Sequence, residues 1–237
     1  MNQDDRIKLL KLAKSHPEVQ QELLSMCESD ILFWFDTFCW TFNPRVKPAH
    51  MPFNLWQFQI PMVETIRDCI LDGENLLIEK SRDMGVSWVV LMCFQWFWLF
   101  REGTDLLVCS KKEDNVDKKG DKSTLFEKLR YNLSFMPDWM IPALNKFQDS
   151  HMKLVHPVNG NVIVGESSNP DTGRSGRYTA VLLDEMAFHP YGEAAFTSVS
   201  QSSDCIIMPS TPNGKANWFY KLRKNTGIDW VEMERLA

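Results

Sequence analysis

Leu76–Trp88 reads LLIEKSRDMGVSW. A short apolar run breaks into a loop of charged and small residues and then enters a second apolar stretch, Val86–Phe100, VSWVVLMCFQWFWLF. The first run has the length of a buried strand and the second that of a helix. A strand, a loop ending in Gly85-Val86-Ser87 and a hydrophobic helix make the outline of a phosphate-binding loop, whose backbone N–H groups and helix N-terminus attract an anion. One part is missing. Val86 stands where a lysine is expected between the glycine and the hydroxyl residue, and an apolar side chain cannot neutralise a polyphosphate. Two readings stand on this stretch alone: a plain strand–helix turn, or a nucleotide site whose cation is Lys80 or Arg82.

The bulk properties restrict the class of protein. A chain of 237 residues, 44% apolar with fifteen Phe and nine Trp, holds enough core material for one large α/β domain or two small ones. Its net charge of -5 excludes a global basic field, so any nucleic-acid contact is a local patch. Six dispersed cysteines without a C-x-x-C pair, mostly inside apolar runs, read as reduced buried thiols rather than a disulfide framework or zinc site. The N-terminal residues lack the apolar core of a signal peptide. Val86–Phe100 is fifteen residues long, short of the roughly 20 that span a bilayer; it reads as a helix buried against a sheet, and no membrane partner is expected.

Arg6–Ser25 has helical apolar spacing interrupted near Pro17, and Ile31–Phe42 begins as a second helix that ends before Asn43-Pro44. Leu55–Leu71 reads as a helix start and an amphipathic helix stopped by Asp72-Gly73. Beyond Asn75, strand candidates at Leu76–Glu79, Asp105–Cys109, Val162–Val164, Thr179–Leu183, Asp204–Met208 and Ile228–Glu232 alternate with helices at Ser87–Phe100, Ser123–Ser134, Glu193–Gln201 and Ala216–Lys224. That alternation predicts a mainly parallel central sheet flanked by helices. His151–Ser168 reads as a hairpin turning at Asn159-Gly160. Residues 1–60 are expected to form a helical N-terminal lid region with an adenine-contacting segment, and 61–237 the core.

Three more elements carry chemistry. The run TAVLLDE delivers Asp184 and Glu185 at the carboxyl end of a strand, where open α/β sheets bind ligands. Asp184 would hold Mg²⁺ and Glu185 would activate water; the plain alternative is a strand end with a helix-capping carboxylate. Ser210, Thr211, Pro212, Asn213 and Gly214 follow another strand, either as a turn or as a γ-phosphate sensor. In LWQFQ, Gln59 reads as a surface glutamine or as an adenine-reading amide, which donates and accepts together. Arg174 and Arg177, in DTGRSGRY, are candidate trans-acting arginines or exposed loop residues. The histidines have no metal-like spacing, and Lys111–Lys122, mixed in sign, reads as a solvated loop or helix start. Gln59, the loop, the acidic pair and STPNG occur in one order, the last three each directly after a strand.

In that order, with KSRDMGVS, VCSKKEDNVD, GRSGRYTAVLLDEMAF and STPNGKANWFY, the chain resembles the N-terminal ATPase domain of the large terminase subunit, the DNA-packaging motor of tailed bacteriophages. The resemblance implies a P-loop NTPase of the ASCE/RecA-like type that uses ATP and Mg²⁺. It maps the displaced lysine onto Lys80 and the γ-phosphate-contacting arginine onto Arg82. The nucleotide-binding loop becomes Lys80, Ser81, Arg82, Asp83, Met84, Gly85, Val86, Ser87 and Trp88. Ser87 and Asp184 become the metal-holding residues, Glu185 the catalytic acid, and Ser210–Gly214 the coupling segment. It also implies a ring of subunits at the procapsid portal in the host cytoplasm, with portal protein, terminase small subunit and double-stranded DNA as partners. No nuclease domain is expected in the short stretch after Gly214. Two other readings remain: a catalytically weak nucleotide-binding scaffold module, or a helicase-type ATPase domain.

Overall fold

The computed structural model describes residues 1–141, 148–224 and 229–233. Pro17 splits the first helical segment. It sits in the first turn of α2 (Pro17–Ser29), where its missing N–H has no intrahelical partner to lose, and α1 (Gln3–Ser15) ends just before it. Asp30 then caps α3 (Ile31–Phe38) by accepting from Leu32 N at 2.8 Å. Beyond α3 the sequence reading missed a small antiparallel ribbon, β1 (Trp40–Phe42) with β2 (His50–Pro52). Helix α4 (Gln59–Asp72) stops at Gly73, which takes the left-handed conformation (φ 71) expected of a terminating glycine.

The main sheet has eight strands in the order β10 (Asp229–Met233), β3 (Leu76–Lys80), β9 (Ile206–Ser210), β8 (Ala180–Leu183), β4 (Asp105–Ser110), β7 (Val162–Ser167), β6 (Lys153–Val155), β5 (Gln148–Ser150). Ile228, the expected start of the last strand, lies outside the described residues. From β10 to β7 neighbours run parallel; β6 and β5 are antiparallel additions at one edge. The predicted hairpin is thus β6–β7, but its second strand continues to Ser167 because it also pairs with β4 along its whole length. Strand β9 likewise runs past the expected Met208 to Ser210. Its ladder with β8 covers Ile206 and Ile207, so Pro209 lies where β9 pairs with β3 alone. Strand β9 thus lies between β3 and β8.

Alternation along the strands supplies two cores. Leu76, Ile78, Leu106, Val108, Ala180, Leu182 and Ile207 face one side; Leu77, Leu107, Cys109, Val181, Leu183, Ile206 and Met208 face the other. The second side is covered by short elements: a 3-10 helix (Met186–Phe188), α8 (Gly192–Val199) and α9 (Trp218–Lys224). The first side holds α5 (Val86–Phe100) and, outside it, the N-terminal helices and α7 (Leu125–Leu133). Residues 1–60 therefore share one continuous core with the sheet. Helix α5 is apolar around its circumference, as a helix enclosed on all sides must be. Its Trp96 and Trp98 indoles donate to Cys27 O (2.7 Å) and Asn161 O (2.9 Å). Among the described residues no helix is long and apolar enough to cross a membrane, and the six cysteines are buried.

Helix α7 is pinned from two directions. Inside, Gln95 Nε2 donates to Leu129 O (3.1 Å) and Asn132 Nδ2 donates to Gln95 Oε1 (2.6 Å), which satisfies a buried amide on α5. Outside, the Arg130 guanidinium forks onto Asp117 at 2.6 and 2.8 Å and also reaches Glu127 and Asp149. Asp117 ends α6 (Glu113–Val116), so the charged segment Lys111–Lys122 is only partly solvated. Burial works against Asp117 ionisation, but the Arg130 hydrogen bonds and charge, the Met152 N–H and the His151 charge together hold the carboxyl below its ordinary value. Arg130→Met is therefore expected to lower the unfolding free energy by about 3 kcal/mol in urea titrations at neutral pH. In the unmodified chain this contribution is whole above pH about 4 and disappears as pH falls through Asp117's lowered value. Equal stability of the two proteins at neutral pH would rule the network out as a fastening of α7.

Candidate active site

The loop between β3 and α5 takes its shape from two left-handed residues. Gly85 has φ 70 and is the N-cap of α5. A Cβ there would lie 3.0 Å from Gln59 Nε2, so the position needs glycine for both its torsion and its close approach. Asp83 (φ 63) also adopts this conformation, and its carboxylate meets Arg45 at 2.6 Å, tying the loop to the segment between β1 and β2. Gln59 is buried. It donates to Met84 O at 3.0 Å and accepts from Trp56 N at 2.9 Å, so one end of its amide braces the loop and the other fastens the start of α4. Val86 is 1% exposed and belongs to the main core. A side chain at that position enters the hydrophobic interior, a physical reason for it to be apolar here.

The carboxyl ends of β3, β8 and β9 bring six of the sequence candidates together. Lys80, the last residue of β3, places Nζ 2.6 Å from Glu185 Oε1. Ser87 Oγ, in the first turn of α5, donates to Asp184 Oδ1 at 2.8 Å. On the far side of Glu185, Oε2 accepts from Thr211 N (3.3 Å) and Thr211 Oγ1 (3.2 Å), with Ser210 Oγ at 3.5 Å. Glu185 itself has φ 56, a conformation that costs a non-glycine residue roughly 1–2 kcal/mol. The lysine and threonine contacts hold it there.

The two acids titrate in opposite directions. Asp184 is pushed up by burial, against the opposing charge of Lys128 and the Ser87 hydrogen bond. For Glu185 burial acts the same way but loses to the Lys80 hydrogen bond and charge, reinforced by Thr211, so its carboxyl sits below the usual range and is ionised at neutral pH. His189 Nε2 donates to Asp184 O at 2.8 Å and fixes the turn behind the pair. A Ser hydroxyl and an Asp carboxylate side by side are hard oxygen donors suited to Mg²⁺, which takes few protein ligands and completes its shell with phosphate and water. The described residues contain no group of three or more His, Cys, Asp or Glu that could hold a metal ion.

The remaining candidates lie around this centre. Ser81 and Arg82 are exposed, and Arg82 makes no hydrogen bond or ion pair among the described residues. Trp88 is half-buried against Phe53 and Tyr131. Asn213 Nδ2 donates to Ala187 O at 3.2 Å, Pro212 is exposed, and Gly214 turns the chain with φ 68. Arg174 pairs with Asp171 at 2.6 Å and Arg177 donates to Gln201 O; both are surface residues of the segment before β8. Sequence reasoning missed Arg45, whose guanidinium meets the loop at Asp83. No local motif marks it, because only the folded chain brings it here.

No protein-family model and no curated protein matches the chain. Among solved structures it is similar to the large terminase of bacteriophage HK97, with 12% identity and a TM-score of 0.61, over 86% of this chain and 43% of that one. It is also similar to the large terminase of a thermophilic bacteriophage in complex with ADP, with 12% identity and a TM-score of 0.55, over 76% of this chain and 45% of that one. The chain thus spans less than half the length of these terminases. At such identities the likeness establishes architecture alone: over the matched span the chain shares the fold of these phage large terminases.

Proposed function

We propose that the chain is an ATP-hydrolysing motor domain of a large terminase subunit, acting on double-stranded DNA. The observation that carries this reading is the hydrogen-bonded chain Ser87–Asp184 and Lys80–Glu185–Thr211 at the carboxyl ends of three neighbouring parallel strands. Isolated turn or capping roles would not bring a loop serine, two acids, a lysine and a threonine to one point. The loop amides and the N-terminus of α5 would cradle the phosphates. Ser87 and Asp184 would hold Mg²⁺, which when bound neutralises phosphate charge and polarises the phosphoryl group. Glu185, ionised and fixed by Thr211, would accept the proton of the attacking water. Lys80 would leave or share Glu185 as phosphate enters, and Arg82 would turn inward from the surface to the γ-phosphate. Through Thr211 a change at Glu185 reaches the Ser210–Gly214 segment, the expected link to DNA movement.

The larger setting belongs to the same proposal: a ring at the procapsid portal in the host cytoplasm, with portal protein and terminase small subunit as partners, and Arg174 or Arg177 offered to a neighbouring subunit's nucleotide. Glu185→Gln is expected to keep affinity for a triphosphate and to lower turnover by about 10²-fold or more in a phosphate-release assay. Unchanged turnover would remove Glu185 as the general base. Nucleotide binding without turnover in the unmodified chain and its assembled complex would instead favour the scaffold reading. Lys80→Ala and Arg82→Ala should each weaken nucleotide affinity or rate by about tenfold, as loss of a charged phosphate contact does. If both variants match the parent in calorimetry and in turnover, the displaced-cation account is wrong.

A further inference from the structure

Asp83 is an acid in the middle of a loop that would receive a polyphosphate. Its place there is fixed. Strand β3 ends at Lys80, Gln59 holds Met84 O at 3.0 Å, and Asp83 lies between these points in the left-handed conformation (φ 63). The cation that meets its carboxylate at 2.6 Å, Arg45, comes from the connection between β1 and β2. Hydrogen bonds shape that connection: Asn43 Oδ1 accepts from Arg45 N at 3.0 Å, and Asn43 N donates to Ala49 O at 2.9 Å. The ribbon itself is fastened to α7, where the Tyr131 hydroxyl lies 2.7 Å from His50 Nδ1. The Tyr131 ring in turn meets Trp88 of α5 edge-on at 5.9 Å. Arg45 is thus carried to the loop by an element anchored beside the loop's own helix.

The pair does little for folding, because both side chains are well exposed, 75% for Arg45 and 59% for Asp83. Its consequence lies in the charge of the loop. Lys80 already touches Glu185 at 2.6 Å, so much of its charge is answered before any phosphate arrives, and Val86 is committed to the core. Arg82 is the neighbour of Asp83 in the chain, so an uncompensated carboxylate there would offset that cation and repel an incoming phosphate. Resting on the nucleotide site proposed above, we infer that Arg45 is a positioning residue of that site. By pairing with Asp83 it cancels the loop's own negative charge and leaves Arg82 and the loop amides to attract the polyphosphate. It acts through Asp83 and not by touching the nucleotide.

The test is calorimetry of ATPγS with Mg²⁺ on the whole chain and its variants, with thermal melting as the folding control. Arg45→Met should weaken ATPγS binding about fivefold in about 0.05 M salt, and the loss should shrink below about twofold in about 0.5 M. Asp83→Asn should instead bind about two- to fivefold more tightly, because asparagine accepts the left-handed conformation and leaves Arg45 as a cation beside the loop. The double variant should recover most of the Arg45→Met loss. A pair that merely shapes the loop would weaken binding in every variant, Asp83→Asn included, and that pattern overturns the inference. Tighter binding by Asp83→Asn with an undiminished loss in the double variant overturns it too, by making Arg45 a direct phosphate contact. Should Arg45→Met not fold, Arg45→Gln is judged by the same measurements. If the unmodified chain binds neither ATPγS nor ADP, the nucleotide-site reading fails and takes this inference with it. If it binds them and Arg45→Met matches it at low salt, the site stands and Arg45 alone is removed from it.

Discussion

Burial of helix α5 on every side is the constraint from which the rest of the structure follows, because the helix is apolar around its whole circumference and cannot leave a face in water. Twelve of its residues are buried, among them Trp96, Phe97 and Trp98. Each large apolar side chain so placed stabilises the fold by about 1.5–3 kcal/mol, far more than any single surface pair. The sheet covers one flank of α5, and the N-terminal helices and α7 cover the others. The loop that begins α5 is therefore anchored at both ends: by β3 in the sheet and by a helix that cannot shift without exposing aromatic surface. A loop that must present backbone amides to an anion benefits from such anchoring, since the donors are aligned before the ligand arrives.

The same burial accounts for the unusual chemistry of the loop. Val86 is the first residue of α5 and lies in the core. A lysine there would have to take its charge into an apolar interior or distort the first turn of the helix, and either is costly. Positive charge is instead found at the end of β3, on Lys80. Glu185 sits between Lys80 and Thr211 in a left-handed conformation that their contacts maintain. One carboxylate thus joins the β3 loop to the β9 loop, and a change in its charge or position is felt in both.

The elements with strong local signals were legible without the structure. Strand β3 and helix α5 were visible in their apolar runs, the helix break in Pro17, the end of α4 in Gly73, and the parallel sheet in the alternation of short strands and helices. Lys80, Ser87, Asp184, Glu185, Ser210 and Thr211 could be named because each ends a strand or lies shortly after one, at the same end of a parallel sheet, where ligands bind. Strand ends were less legible. β7 and β9 run beyond their apolar residues because pairing with β4 and β3 continues through glycine, proline and serine. The β1–β2 ribbon was missed because such short strands carry too little periodicity to register.

What the sequence determined by itself was the type of sheet, the order of the chemical elements along it and the absence of a lysine in the phosphate loop, since these depend on local patterns of residue type. What only the tertiary structure decided was partnership. Gln59 braces the loop through Met84, Lys80 contacts Glu185, and Thr211 completes the grip on that acid. These are contacts between distant segments, set by how α5 is enclosed and how α7 is pinned by Arg130 and Asn132. A charged side chain's role depends on the charges packed around it, and that environment exists only once the chain has folded.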